Sequence, residues 1–140
     1  MIYFNYETTF KLVNETSYEK WISTIIQSEG KEEGEINYIF CADDYLHKIN
    51  VDYLDHDTLT DIISFDYSEG NFLQGDIFIS VERVRDNATD FNTNFEEEIK
   101  RVMAHGVLHY CGYKDKSDEE SLLMRKKEDE KISLFHVEQL

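Results

Sequence analysis

The chain has 140 residues, of which 41 % are hydrophobic and 14 % aromatic, so it can form an ordered core without a metal or a disulfide. This length fits one domain, residues 1–140, and the composition argues against a disordered chain. Fourteen basic and thirty acidic residues give a net charge of −16, which argues against a broadly basic nucleic-acid-binding surface. Any positive charge that binds phosphate must therefore be gathered locally.

The first half of the chain predicts two strands and two helices. The opening stretch alternates apolar and polar residues as a half-buried strand does, and a later run is rich in β-branched and aromatic residues. Each is followed by residues that cap helices, Thr16 with Glu19 as a capping box and later Asp43 or Asp44. The predicted elements are a strand at 2–10, a helix from Thr16 to Gly30, a strand at 36–42 and a short helix through Asn50.

The second half predicts a hairpin and three helices. The runs TDIISFDY and QGDIFIS are separated by SEGN, a turn sequence, so they are expected to pair. Asn94 is the predicted N-cap of one helix, and Ser117 with Glu120 forms a capping box for the last. The elements are strands at 60–67 and 74–80, and helices near 81–86, from Asn94 to Tyr110 and from Ser117 to about Leu134. The order β, α, β, α, β, β, α, α, α predicts an α+β (α/β) domain, with a mixed sheet of about four strands covered by helices.

Cysteine usage and the absence of apolar segments indicate a cellular compartment. We interpret Cys41 and Cys111 as buried thiols in a reducing environment, with a bridge between them as the alternative. The start of the chain, MIYFNYETTF, has no basic n-region, and no run of about 18 apolar residues occurs. The expectation is a soluble, cytoplasmic protein that does not contact a membrane.

The stretch HGVLHYCGYKD, at 105–115, predicts a metal site on a helix in the C-terminal half and on the turn after it. His105 and His109 lie one turn apart on the same helix face. Gly112 permits a left-handed helix end, after which Asp115 can face back toward the pair. Two imidazoles and a carboxylate suit zinc or another divalent transition metal, and an open fourth position indicates catalysis. The alternative is ordinary packing for the histidines and a solvated loop carboxylate for Asp115.

The same spacing, HxxxHxxGxxD, matches the end of the zinc-protease pattern HExxHxxGxxH. In those proteases a glutamate general base follows the first histidine, whereas this chain has Gly106 at that position. A metzincin peptidase is therefore disfavoured.

Three segments, in order along the chain, resemble the YbeY family of bacterial rRNA maturation factors. The stretch at 105–115 resembles the family's HGxLHLxGYDH, and NVDYLDHDTLTDIISF (50–65) resembles its N-x-x-Y-R-G-x-D-x-P-T-D-V-L-S-F. QGDIFI (74–79) resembles its LGDIxI. Three ordered segments are more specific than one histidine pair.

The resemblance implies a single metal-dependent hydrolase domain that cleaves single-stranded RNA in 16S rRNA 3′-end maturation and ribosome quality control. It implies one Zn²⁺ per chain held by His105, His109 and Asp115, with the histidines acting through water activated by the metal. No residue of the motif is an evident general base. Ser64 and Asp76 are expected beside the groove as neighbours of the metal or its ligands. The implied partners are rRNA, the small ribosomal subunit and its proteins, and DNA is not expected.

Three residues depart from the family pattern. Asp115 stands where the family has a third histidine, which lowers the net charge of the site by one and makes the metal a poorer acid toward water. Leu54 stands where the family has an arginine, a cation expected to bind substrate phosphate. Basic side chains between 114 and 126, Lys114 and Lys116 among them, are the candidate substitutes. Leu59 replaces the family's proline, which affects loop stiffness.

Two other functions stay open from the sequence. One is a ribosome-assembly binding factor with a structural metal and little or no nuclease activity, which the net charge of −16 favours because such a protein can dock through ribosomal proteins. The other is a hydrolase of a different phosphate-bearing or amide substrate.

Overall fold

A computed structural model describes residues 1–54 and 60–139, with side chains described through residue 135. The predicted order of elements is confirmed, as is the α+β class. The elements are β1 (Ile2–Tyr6), α1 (Glu15–Ser28), β2 (Glu32–Cys41), α2 (Asp43–Leu54), β3 (Ile62–Asp66), β4 (Phe72–Ser80), α3 (Val81–Asp90), α4 (Phe95–Tyr110) and α5 (Asp118–Gln139).

The four strands form one mixed sheet in the order β1-β2-β4-β3. β1 pairs with β2 and β2 with β4 in parallel, whereas β3 and β4 form the predicted antiparallel hairpin. In that hairpin Ser64 lies opposite Ile77, and Phe65 lies opposite Asp76. Because side chains alternate along a strand, the two pairs project from opposite faces of the sheet.

The main core lies on the face that carries Ile77, where α1 and α4 cover the sheet. Helix α1 buries a stripe of residues at helical spacing, and α4 buries most of its length. Trp21 is fully buried, and its indole N–H donates to the Lys131 carbonyl at 2.6 Å, which ties α1 to α5. A smaller cluster of Cys41, Leu46 and Ile63 lies under α2 on the other face. The helix that carries the histidine pair is therefore anchored by packing along its buried side.

Helix α1 differs from its prediction at its start. The N-cap is Asn14 rather than Thr16, in a left-handed conformation with φ of 64° and without a side-chain cap. The Tyr6 hydroxyl accepts from the Leu12 backbone N–H and donates to the Glu15 carboxylate, so contacts with β1 start the helix earlier than the capping pattern indicates. Asn tolerates this conformation better than most residues.

Five other elements extend beyond their predicted bounds, whereas β1 ends at Tyr6, short of the predicted residue 10. Strands β2 and β4 begin at Glu32 and Phe72, and helices α2, α3 and α5 continue to Leu54, Asp90 and Gln139. Both cysteines are free thiols, Cys41 buried and Cys111 partly buried, so the predicted thiols are confirmed rather than the bridge. Across the part of the chain that the structure describes, no helix combines the length and apolar character needed to cross a membrane.

Candidate metal centre and its cavity

Helix α4 presents the histidine pair on one face. Its predicted N-cap is confirmed, because the Asn94 side chain accepts from the Glu97 backbone N–H at 2.7 Å, and three glutamates in the first turn favour the positive end of the helix dipole. His105 lies further along the helix, and His109 follows it by one turn. Their Nε2 atoms lie 2.9 Å apart.

The turn after α4 brings Asp115 back to the pair. Gly112 adopts φ of 105°, a conformation that favours glycine, and the Tyr113 backbone N–H donates to the Leu108 carbonyl at 3.1 Å. On the other side, Ser121 Oγ donates to the Asp115 carbonyl at 2.8 Å. Asp115 Oδ2 then lies 3.1 Å from His105 Nε2 and 3.3 Å from His109 Nε2.

The predicted capping box at the start of α5 is also formed. The Ser117 backbone N–H donates to Glu120 Oε1 at 2.9 Å, and the Glu120 backbone N–H donates to Ser117 Oγ at 3.1 Å. The loop that carries Asp115 is therefore fixed at both ends.

The donor set fits a divalent transition metal. The three ligand atoms of His105, His109 and Asp115 lie within 4.8 Å of one another, which is the separation expected around one ion. The opposite ring nitrogens are already occupied, since His105 Nδ1 lies 2.6 Å from Glu128 Oε2 and His109 Nδ1 lies 2.9 Å from the Tyr113 carbonyl. Such contacts fix the tautomer that leaves Nε2 free to bind a metal.

Arg101 supports this arrangement from α4. Its Nη1 donates to Glu128 Oε1 at 3.0 Å and its Nη2 to Asp129 Oδ1 at 2.6 Å. Burial by itself disfavours a charged His105, but the hydrogen bond and charge of Glu128 outweigh it and raise the pKa of the imidazole. Glu128 is only 6 % exposed, so its interaction with the imidazole is little screened by water.

The candidate metal centre opens into a cavity of about 400 Å³ between β3, α4 and α5. Asp61, Ile62 and Ser64 line one wall, from the start of β3. Helix α4 lines the opposite wall with Glu98, Arg101 and Val102 beside the two histidines.

The structure separates the residues predicted around the site. Ser64 lies among the residues that line the cavity. Asp76 projects from the other face of the sheet, where it lines a separate hollow under α2 and accepts from Asn37 Nδ2 at 3.1 Å. Lys114 and Lys116 are exposed on the Asp115 loop and are not among the residues lining the cavity. Leu54 ends α2, and Leu59 lies outside the described residues.

Four charged residues of the cavity were not predicted as site residues: Asp61, Glu98, Arg101 and Glu128. Burial raises the pKa of the Asp61 carboxyl, and the charge of His105 offsets this increase only in part. Burial also raises the pKa of Glu98, with Arg101 opposing. The i, i+4 spacing of Arg101 and His105 indicates a shared face, but the partnership with Glu128 depends on how α5 packs.

The chain is similar to endoribonucleases over nearly its whole length. The sequence model of the family "Endoribonuclease YbeY" matches residues 3–136. Curated proteins named Endoribonuclease YbeY include one from Flavobacterium johnsoniae, 72 % identical over 99 % of this chain and 100 % of that protein. Another, from Flavobacterium psychrophilum, is 68 % identical over 99 % of each. The solution structure of TM1509 from Thermotoga maritima superimposes with a TM-score of 0.69 at 26 % identity, covering 99 % of this chain and 91 % of that one.

Proposed function

The chain belongs to the YbeY family, and we propose that it is a zinc-dependent endoribonuclease specific for single-stranded RNA. Its task is 16S rRNA 3′-end maturation and ribosome quality control in the cytoplasm, with rRNA and the small ribosomal subunit and its proteins as partners. DNA and membranes are not partners, and residues 1–140 act as one hydrolase domain. The curated relatives share the endoribonuclease name, which supports this function over a binding factor without nuclease activity.

The observation that carries the proposal is the convergence of His105, His109 and Asp115 at the mouth of a polar cavity. These three residues would hold the ion. When bound, zinc supplies a Lewis acid that polarises a phosphoryl oxygen and lowers the pKa of water. Glu128 and the Tyr113 carbonyl keep both Nε2 atoms directed at the ion, so the ligands need no rearrangement when it binds.

Arg101 supplies a guanidinium to the cavity wall. Two of its five N–H donors go to Glu128 and Asp129, and its remaining donors are suited to a phosphate oxygen. We therefore assign to Arg101 the phosphate-binding part that the family's arginine would play at Leu54. Lys114 and Lys116, on the exposed loop, contribute charge near the entrance. The bases of a single strand can splay away from one another, which allows a segment of single-stranded RNA to approach this cavity of about 400 Å³.

The test combines metal content with RNA cleavage. The native protein is expected to carry about one equivalent of zinc by mass spectrometry and to cleave an end-labelled single-stranded RNA, whereas His109→Ala and Asp115→Ala lose both properties. Asp118→Ala, three residues further along in the first turn of α5, is the matched control and keeps both.

Metal-free His109→Ala that still cleaves would contradict the proposal. A second contradicting result has two parts: the native protein binds zinc without cleaving RNA, and a double variant of His105 and His109 rescues rRNA processing in a deletion strain. That result would favour the binding factor.

A further inference from the structure

The metal triad does not supply a general base. Attack of water on a phosphodiester requires a group that accepts the water proton. His105 and His109 have both ring nitrogens engaged, and Asp115 is the third ligand. A protein group that accepts this proton would therefore come from another wall of the cavity.

Among the residues described, three carboxylates outside the triad line this cavity: Asp61, Glu98 and Glu128. Glu128 is excluded as an acceptor because one oxygen is bound to His105 and the other to Arg101. Glu98 precedes His105 by seven residues on the same helix, which places it about 10 Å along the axis from that ligand. It is also only 5 % exposed, deep between α4 and its neighbours.

Asp61 lines the same cavity as His105, and the charges of the two residues interact. It lies at the start of β3, on the wall facing α4, and is partly exposed. Its backbone is fixed by the Ser80 N–H, which donates to the Asp61 carbonyl at 2.9 Å, and its carboxylate is oriented by Asn87 Nδ2, which donates to Oδ2 at 3.3 Å. Within residues 1–54 and 60–135 it has no salt-bridge partner, so a carboxylate oxygen can accept from a ligand in the cavity.

We infer that Asp61 is the general base of the proposed ribonuclease, an assignment that rests on the proposed function. The water oxygen forms a bond to phosphorus while its proton passes to a carboxylate oxygen of Asp61. The bond between phosphorus and the leaving ribose oxygen breaks, and that oxygen takes a proton from solvent. Asp61 returns its proton to solvent when the products leave.

The first experiment compares Asp61→Asn with the native protein loaded with zinc. Asparagine keeps the shape and still accepts from Asn87, so the fold and the metal site are expected to persist. We expect kcat to fall about 10²- to 10⁴-fold, with KM changed less than about threefold and zinc content unchanged. Asp66→Asn makes the same charge change at the exposed end of β3 and is expected to keep native kcat.

The second experiment uses chemical rescue. Asp61→Ala removes the carboxylate, and added formate is expected to restore cleavage in a dose-dependent manner, because a small carboxylate can occupy the vacated position. Formate is expected to leave the native protein and His109→Ala unchanged. A purely structural role of Asp61 would not respond to formate.

Several outcomes would overturn the assignment while leaving the proposed function intact. The first is an active native protein together with an Asp61→Asn variant whose kcat is within a few-fold of the native value. The second is loss of zinc from Asp61→Asn, and the third is a kcat that falls in Glu98→Gln instead of Asp61→Asn. Native protein that holds zinc and cleaves no single-stranded RNA would overturn the proposed function, and the assignment of Asp61 with it.

Discussion

Glu128 holds His105 from behind: its Oε2 lies 2.6 Å from the imidazole Nδ1, while Nε2 of the same ring lies 3.1 Å from Asp115. The two residues are on different helices, 23 positions apart. The proposed metal ligand on α4 is therefore oriented by α5, and Arg101 fixes the orienting carboxylate. Packing of the last helix is therefore expected to affect the affinity of the proposed metal site.

Replacing Glu128 by Gln tests this relationship. The charged partner that fixes the His105 tautomer and raises its basicity is lost, so zinc affinity is expected to fall about 10- to 100-fold. Competition with a chromogenic chelator measures it. Asp129→Asn is the control, because Asp129 contacts the same Arg101 without touching the imidazole. An equal loss in both variants would mean that Arg101, rather than the carboxylate, governs the site.

A second contact network supports the Asp115 loop from the other side. The Tyr113 hydroxyl donates to Glu29 Oε1 at 2.6 Å, and Glu29 Oε2 lies 2.7 Å from Lys131 Nζ and 3.0 Å from Lys127 Nζ. The backbone carbonyl of the same tyrosine contacts His109. The end of α1 is thereby linked to His109, a proposed metal ligand.

This network predicts that the free energy of unfolding decreases in acid. Burial opposes ionisation of Glu29, but the hydrogen bonds from Lys131, Tyr113 and Lys127 outweigh it and lower the pKa to about 2 from the ordinary 4.5. A lowered folded-state pKa stabilises the fold above pH 4.5, and this contribution disappears as pH falls from 4.5 toward 2. The ionised Glu29 therefore contributes about 3 kcal/mol to the free energy of unfolding at neutral pH.

Urea unfolding between pH 7 and pH 2.5 measures the effect in Glu29→Gln. The variant is expected to be less stable at pH 7, and its difference from the native protein is expected to shrink as pH falls. Glu130→Gln is the control, since Glu130 contacts the same lysines but is half exposed. A constant difference at all pH values would contradict the assigned role of the Glu29 charge.

The close surroundings of Gly75 predict that one added methyl group at this position destabilises the fold. A Cβ added there would lie 2.5 Å from the Tyr110 hydroxyl and even closer to the Phe65 carbonyl oxygen. That hydroxyl lies 2.9 Å from the Phe65 carbonyl oxygen and 3.1 Å from the Asp76 carbonyl oxygen and shares its one proton between them, so it cannot withdraw without breaking these contacts. Gly75→Ala is expected to cost about 2 kcal/mol or more of unfolding free energy.

Thermal unfolding provides the measurement for Gly75→Ala. Gly70→Asn is the control, because Gly70 has φ of 59° with open space around it, a conformation that Asn tolerates. A melting temperature unchanged in Gly75→Ala would show that the β3–β4 pairing and α4 yield to the added methyl group.

The sequence predicts the parts of the site that depend on local geometry. His105 and His109 meet because helical periodicity places residues four apart on one face, and Asp115 returns because Gly112 permits the turn. Glu128 and Asp61 are not predictable in this way, since each reaches the site through packing of an element distant along the chain. No spacing rule relates a residue on α5 or β3 to a histidine on α4.

The Asp76 prediction shows a related limit. Strand alternation separates Asp76 from Ile77, but it does not say which face of the sheet carries the site, because helices cover both faces. The packing of α4 against the face of Ile77 decides it, and this places Ser64 in the cavity and Asp76 away from it. The early start of α1 has a similar cause, since contacts of Tyr6 override the local capping pattern.

Asp115→His restores the third histidine expected from the family resemblance and changes the charge of the site by +1. Zinc binding is expected to persist, because imidazole nitrogen is as suitable a ligand as carboxylate oxygen and the loop stays fixed by the Ser121 hydroxyl. A more positive centre acidifies water more strongly, so the rate of RNA cleavage is expected to rise several-fold at pH 6 and to approach the native rate at pH 9. Cleavage rates across this pH range, at saturating zinc and with zinc content measured in parallel, test the prediction. Asp115→Asn separates charge from ligand type, since it also removes the negative charge but supplies a weak oxygen donor, and it is expected to lose zinc. A rate that falls at pH 6 in a fully loaded Asp115→His variant would show that the carboxylate serves the reaction itself, beyond holding the ion.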